Sequence, residues 1–163
     1  MRYTTFPLHP ETPDDGMSLF EMFAGRLDVP AMLKRLNQVA ASLDLPFGER
    51  SYTYNSRRAQ ELGKWAEQQG QGDEFQKATY LAYFAEGKNI AQNAVLTEIA
   101  AESGLDATEA ERVMAERRYA DAVDADWERA HSLGVTAVPT LIYGDRSLVG
   151  FQPYENFRKL ISG

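Results

Sequence analysis

The sequence contains no cysteine. Thiolate nucleophiles, disulfide cross-links and cysteine metal ligands are therefore excluded for this polypeptide. Histidine is nearly absent as well: His9 lies among prolines and His131 near the end of a predicted helix, so no convergent metal-ligand spacing exists and no metal centre is expected. No apolar run approaches the roughly 18 residues needed to cross a bilayer. Met1 to Phe6 leads into prolines and acids where a signal peptide would carry its apolar region, so the expected compartment is the cytoplasm, with no membrane partner. Positive charge is in the minority, with 17 Lys and Arg against 24 Asp and Glu and a net charge of −7. Phosphate-rich surfaces repel such a chain, and no nucleic-acid partner is expected.

What remains is the composition of one globular domain. The 163 residues are 44% hydrophobic and 25% charged, enough to bury a core without staples, and no repeat, low-complexity tract or linker interrupts them. Arg2 to Phe6 is a short β-prone run that stops at Pro7, which has no N–H for a ladder. Ser18 with Glu21 forms a capping box ahead of Leu19, Phe20, Met22 and Phe23. Asp28 and Pro30 open a helix whose Met32, Leu33, Leu36, Val39, Ala40 and Leu43 fall on one face. Asn55 or Ser56 can cap a helix burying Ala59, Leu62 and Ala66, and Gly70-Gln71-Gly72 hands over to one carrying Phe75, Ala78, Leu81 and Ala82 up to Gly87. Asn93 can cap Val95 to Ala100, Asp106 with Glu109 repeats the box pattern before Ala110, Val113 and Met114, and a last long helix carries Val123, Trp127 and Ala130 to Gly134.

The end of the chain changes character. Thr140 to Tyr143, a turn at Gly144-Asp145-Arg146, and Ser147 to Val149 predict a β-hairpin. Pro153 to Ile161 predicts a closing helix with Phe157, Leu160 and Ile161 facing inward.

In this order and spacing, several motifs resemble one family. Gly134-Val135-Thr136-Ala137-Val138-Pro139-Thr140 is similar to the segment that, in thioredoxin-fold proteins, enters a strand through a cis-proline. Leu148 to Glu155, with Gly150-Phe151-Gln152-Pro153 at its centre, is similar to the second hairpin strand and the start of the terminal helix in the DsbA-like branch. Phe6 to Pro10, Asn55 to Ala59 and Ala82 to Ile90 also resemble that branch, specifically its FrnE-type members. The resemblance covers essentially the whole chain. It implies an α/β, thioredoxin-like fold in a single domain over 1–163. Residues 1–10 and about 117–163 would form the thioredoxin-like part, and about 17–116 a large all-helical insertion.

The resemblance also implies a chemistry and a departure from it. In redox-active relatives a Cys-x-x-Cys at the start of the first helix attacks disulfides, its thiolate stabilised by free N–H groups and the helix dipole. In the related kappa-class glutathione transferases and chromene-carboxylate isomerases a serine takes that place. Arg2 to Phe6 aligns with the family's second strand, so the first β-α unit is expected to be missing, and with it the catalytic nucleophile. By the same analogy that strand lies between Arg2 to Phe6 and Thr140 to Tyr143, leaving open edges that invite a homo-oligomer or another partner. A start codon placed too late, a shortened polypeptide, or a sheet closed by a second chain would each account for it.

The residues expected to bind substrate are then Val138, Pro139 and Thr140, where the backbone beside a cis-proline meets an extended peptide or the cysteinyl part of glutathione. Asn55 borders the glutathione pocket in kappa-like relatives, although a helix cap accounts for it equally. Gln152 corresponds to a pocket-edge polar residue, or else caps the last helix. Lys64 or Arg57 could bind a carboxylate, and Tyr80, Tyr83 and Phe84 could line a pocket or pack in the core. Two functions follow. One is a FrnE-type thiol–disulfide oxidoreductase or isomerase, redox-inactive in the chain as given. The other is a cysteine-free peptide- or glutathione-binding module, or a glutathione transferase- or isomerase-like enzyme whose reactive serine lies in the missing unit. No cofactor is expected, glutathione being the one candidate.

Overall fold

The computed structural model describes residues 3–162. The chain divides into two compact units, Met1–Leu8 with Asp124–Gly163, and His9–Val123. Among the described residues no helix is long and apolar enough to cross a membrane.

The larger unit is helical. A two-residue strand β1 (Met17–Ser18) pairs antiparallel with β2 (Tyr52–Thr53), Met17 opposite Thr53. Helix α1 (Leu19–Phe23) begins with the full capping box: the Ser18 hydroxyl accepts from the Glu21 N–H at 3.1 Å, and the Glu21 carboxylate accepts from the Ser18 N–H at 3.1 Å. The pairing satisfies two of the donors that a helix start leaves free. In α2 (Val29–Ser42) the Asp28 carboxylate caps Ala31 at 2.9 Å, with Pro30 in the first turn. The expected inward stripe of α2 is only partly covered. Met32, Leu33, Val39 and Ala40 are half-buried, whereas Leu36 and Leu43 are 42% and 48% exposed. A helix of this length is about 21 Å long, and the five-residue α1 is too short to cover it.

The core forms where α3 (Arg57–Gln68), α4 (Gly72–Tyr80), α5 (Asn93–Glu102) and α6 (Ala107–Ala115) converge. Ala59, Leu62 and Ala66 of α3, Phe75 of α4, Leu96, Ile99 and Ala100 of α5, and Ala110, Val113 and Met114 of α6 are all buried in it. Their i, i+3, i+4, i+7 spacing is the helical period read from the sequence.

Three local expectations are corrected here. Asn93 does not cap α5 but is its first residue, preceded by Gln92, and the Asn89 side chain accepts from the Ala91 N–H at 2.9 Å instead. Asp106 does cap α6, accepting from the Glu109 N–H at 2.7 Å. The Glu109 carboxylate is drawn to Arg112 and Arg118, so the second half of that box does not form. Leu81 and Ala82 do not continue α4 regularly. Leu81–Ala85 is a π-helical turn, closed by the Glu86 N–H donating to the Leu81 carbonyl at 3.1 Å.

In the smaller unit the expected strand at Arg2 to Phe6 is also corrected. Arg2 lies outside the described residues, and Tyr3 to Phe6 joins no ladder. The Thr5 N–H donates to the buried Asp126 carboxylate at 2.9 Å, and the Phe6 ring meets His131 edge-on at 6.3 Å. β-prone side chains make a strand only when a neighbouring backbone takes their hydrogen bonds. Helix α7 (Ala120–Ser132) is followed by the hairpin of β3 (Thr140–Tyr143) and β4 (Arg146–Val149). Tyr143 pairs with Arg146, so the turn is only Gly144-Asp145, and Gly144 takes a left-handed φ of 62° that suits glycine. Helix α8 (Tyr154–Ser162) buries Leu160 and half-buries Phe157. Ile161, expected to face inward, is 57% exposed. Its i, i+4 spacing from Phe157 puts it on the same face, but in the last turn of the helix that position is left uncovered.

Candidate functional site

Among the described residues, the smaller unit presents a free strand edge. The Val138–Pro139 bond is cis, Val138 is exposed, and the Pro139 carbonyl accepts from the Gly150 N–H at 2.8 Å. That bond fixes the alternation along the antiparallel pair, in which successive residues direct their backbone groups toward and away from the partner. Leu141 and Tyr143 therefore bond to β4. The N–H and C=O groups of Thr140 and Ile142 face away, and among the described residues β3 has no neighbour on that side. The Thr140 hydroxyl donates to the Ala137 carbonyl at 2.6 Å, bracing the loop that leads into the strand. Exposed Val149, Phe151 and Tyr154 add apolar surface to the same unit.

Gln152 ties β4 to α8. Its amide N–H donates to the Val149 carbonyl at 2.9 Å and its oxygen accepts from the Asn156 side chain at 2.9 Å. An open depression of about 430 Å³ lies between β4 and α8, lined by Arg146, Ser147, Leu148, Asn156, Lys159 and Leu160.

The other sequence-selected residues lie in the helical unit. The Asn55 amide donates to the Thr12 and Pro10 carbonyls at 2.7 and 3.2 Å, and its oxygen accepts from the Arg57 N–H at 2.8 Å. Its polar atoms thus hold the 10–12 loop against the start of α3. Arg57 spans from Glu61 at 2.6 Å to the Ala120 carbonyl at 2.9 Å, and Lys64 pairs with Glu67 at 3.2 Å. Tyr83 and Phe84 stand edge to face at 4.8 Å, and the Tyr83 hydroxyl lies 2.9 Å from that of Thr53. Tyr80 is 54% exposed.

Sequence reasoning passed over two clusters. Buried Glu61 accepts from both Arg57 and Arg117, the latter through two bonds of 2.6 and 2.7 Å. Burial pushes its carboxyl up, but the two guanidiniums outweigh that and hold it below the usual carboxylate range. The i, i+4 spacing of Arg57 and Glu61 was a visible signal. Arg50, stacked over Tyr83 and Phe84, had none, because its partners are more than thirty residues away. Among the described residues no three His, Asp or Glu side chains gather as a metal-ligand set.

Comparison with known proteins agrees with this architecture. A family model described as a DSBA-like thioredoxin domain matches residues 1–162. An uncharacterized protein of Bacillus subtilis (strain 168), YwbO, is 32% identical over 99 residues, which is 60% of this chain and 50% of that protein. The match thus spans half the length of that relative. The crystal structure of a probable DsbA oxidoreductase from Streptomyces coelicolor superposes with a TM-score of 0.87 at 26% identity, covering 96% of this chain and 71% of that one. A Nitrosomonas europaea structure, at 17% identity and a TM-score of 0.64, covers 81% of this chain and 71% of its own, and shows the fold alone. The small sheets and dominant helices are thus a DsbA-like thioredoxin fold, and the chain belongs to the DSBA-like thioredoxin domain family without carrying a cysteine.

Proposed function

We propose that this chain supplies the polypeptide-docking part of a FrnE-type thiol–disulfide oxidoreductase and performs no thiol exchange by itself. Exchange requires a thiolate to attack a disulfide sulfur, and the 163 residues contain no thiol. The observation that carries the docking half is the outer edge of β3, unpaired among the described residues, with the backbone groups of Thr140 and Ile142 facing away from β4. An extended polypeptide adds to such an edge as a further strand, its backbone supplying affinity and its side chains meeting nearby apolar surface. Val138 and Pro139 begin that edge, Thr140 and Ile142 pair along it, and Gln152 keeps β4 anchored to α8 behind it.

The test uses the purified chain in two assays. In dithiothreitol-driven insulin reduction its rate should equal the protein-free blank. Calorimetry should show saturable binding of a reduced, carboxymethylated unfolded polypeptide, weakened about tenfold or more by Ile142→Pro. That substitution removes an outward N–H while leaving the β3–β4 bonds in place, as edge strands tolerate. Turnover above the blank would overturn the redox half of the reading. Unchanged affinity in the folded proline variant, or no binding at all, would overturn the docking half.

A further inference from the structure

The helical unit holds a cation in an unusual setting. The Arg50 guanidinium carbon lies 4.3 Å from the centroid of the Tyr83 ring and 4.8 Å from that of Phe84. Those rings are themselves fixed. Tyr83 shares a hydrogen bond with Thr53, Phe47 stacks on Phe84 at 6.2 Å, and Tyr80 meets Phe84 edge-on at 5.9 Å. Consecutive residues of an α-helix point about 100° apart. Residues 83 and 84 belong to the π-helical turn, and both present their rings to the one guanidinium.

Stacking occupies a face of the guanidinium and leaves its N–H groups directed outward in the plane. Among the described residues no carboxylate pairs with Arg50, although the chain has 24 acids, and Arg57, Arg112, Arg117 and Arg118 each have an acidic partner. A half-buried cation without a counter-ion is costly unless a charge arrives to meet it. It is also pre-organised to receive one, since the aromatic clamp has already fixed its orientation. Two tyrosines linked to this aromatic cluster are half-exposed: Tyr52, stacked on Tyr54, at 49% and Tyr80, edge-on to Phe84, at 54%. Small ligands favour enclosed pockets, whereas half-exposed Tyr beside a fixed Arg suits a polypeptide surface.

We infer that Arg50, clamped on Tyr83 and Phe84, is a carboxylate-recognition site for an acidic side chain of an extended polypeptide, with Tyr52 and Tyr80 contacting the residues on either side. The site lies wholly within the helical unit and stands whether or not a polypeptide also adds to β3.

The test compares two tetrapeptides, acetylated and amidated at their ends, that differ only in glutamate against glutamine. Titrated into the full chain and followed by amide and guanidinium NMR, the glutamate peptide should bind about tenfold tighter, as expected for a charge-assisted bond, and shift the Arg50 Nε–H and the Tyr83 amide. Arg50→Gln should abolish the difference between the peptides, and Arg50→Lys, which keeps the charge but not the planar fork, should restore only part of it. If Arg50→Gln disturbs folding, Tyr52→Ser at a half-exposed position gives an independent reading, weakening the glutamate peptide without changing the melting temperature. Equal affinity for both peptides, no saturable binding by either, or discrimination that survives in Arg50→Gln would overturn the inference.

Discussion

Replacing Glu61 by glutamine is expected to lower the unfolding free energy near neutral pH by about 3 kcal/mol, the low end of the cost of breaking a buried ion pair. Glu61 is buried and accepts three short bonds from two guanidiniums. The amide keeps the shape but withdraws the charge that Arg57 and Arg117 share. The low end applies because the Arg117 side chain is 49% exposed and water can partly replace the lost partner. The pH dependence has a definite sign. Because the folded-state pKa of Glu61 is held below its unfolded value of about 4.3, its contribution is present above that value and disappears as pH falls through the folded-state pKa. Urea unfolding across the acid range should therefore show the wild-type and Glu61→Gln curves converging at low pH. A constant offset between them would mean that Glu61 acts through packing alone.

Two glycine-to-alanine substitutions should move stability in opposite directions. A Cβ on Gly48 would sit 2.1 Å from the Ala85 carbonyl oxygen and 3.0 Å from its carbon, so one backbone must yield to the other. The Gly48 N–H also donates to the Phe84 carbonyl at 2.9 Å, a bond that exists only at this close approach. Gly48→Ala should cost about 2 kcal/mol, typical of overpacking against a rigid neighbour. It should also loosen Phe84 beneath Arg50. Gly63, inside α3, has nothing nearer its Cβ position than the Phe75 ring at 3.8 Å, an ordinary contact. Gly63→Ala should stabilise by about 0.5–1 kcal/mol through reduced unfolded-state freedom and better helix propensity. Thermal melts of both variants decide the matter, and a shift of the same sign in each would contradict the geometry.

What could be read from the sequence was local. Ser18 and Glu21, or Asp28 and Pro30, announce helix starts because the atoms that meet are within one turn of each other. The hairpin at Gly144-Asp145 and the buried stripes of α3, α5 and α6 are legible for the same reason. Features decided by a distant partner were not. Tyr3 to Phe6 has strand composition, yet the Thr5 N–H goes to Asp126, a residue 121 positions away. Leu36 and Leu43 carry the right period in α2, but period alone does not supply a neighbour to cover them. The widened turn at Leu81–Ala85 has no sequence signature that distinguishes it from continued α-helix. Arg50 and Glu61 became recognisable only when the fold brought their partners together. The family motifs around Val138 and Gln152 pointed to a site through resemblance, and the backbone alternation around Pro139 then indicated which groups of β3 remain free.

The role proposed for this chain is polypeptide docking at the outer edge of β3 without a thiol. Its most direct measurement is residue-resolved amide NMR of the chain titrated with a cysteine-free extended peptide. Saturable shifts and slowed hydrogen exchange are expected at Thr140 and Ile142, whose N–H groups face away from β4, with Leu141 and Tyr143 far less affected. Shifts at Leu141 and Tyr143 equal to those at Thr140 and Ile142, or a peptide that binds without perturbing β3, would contradict it.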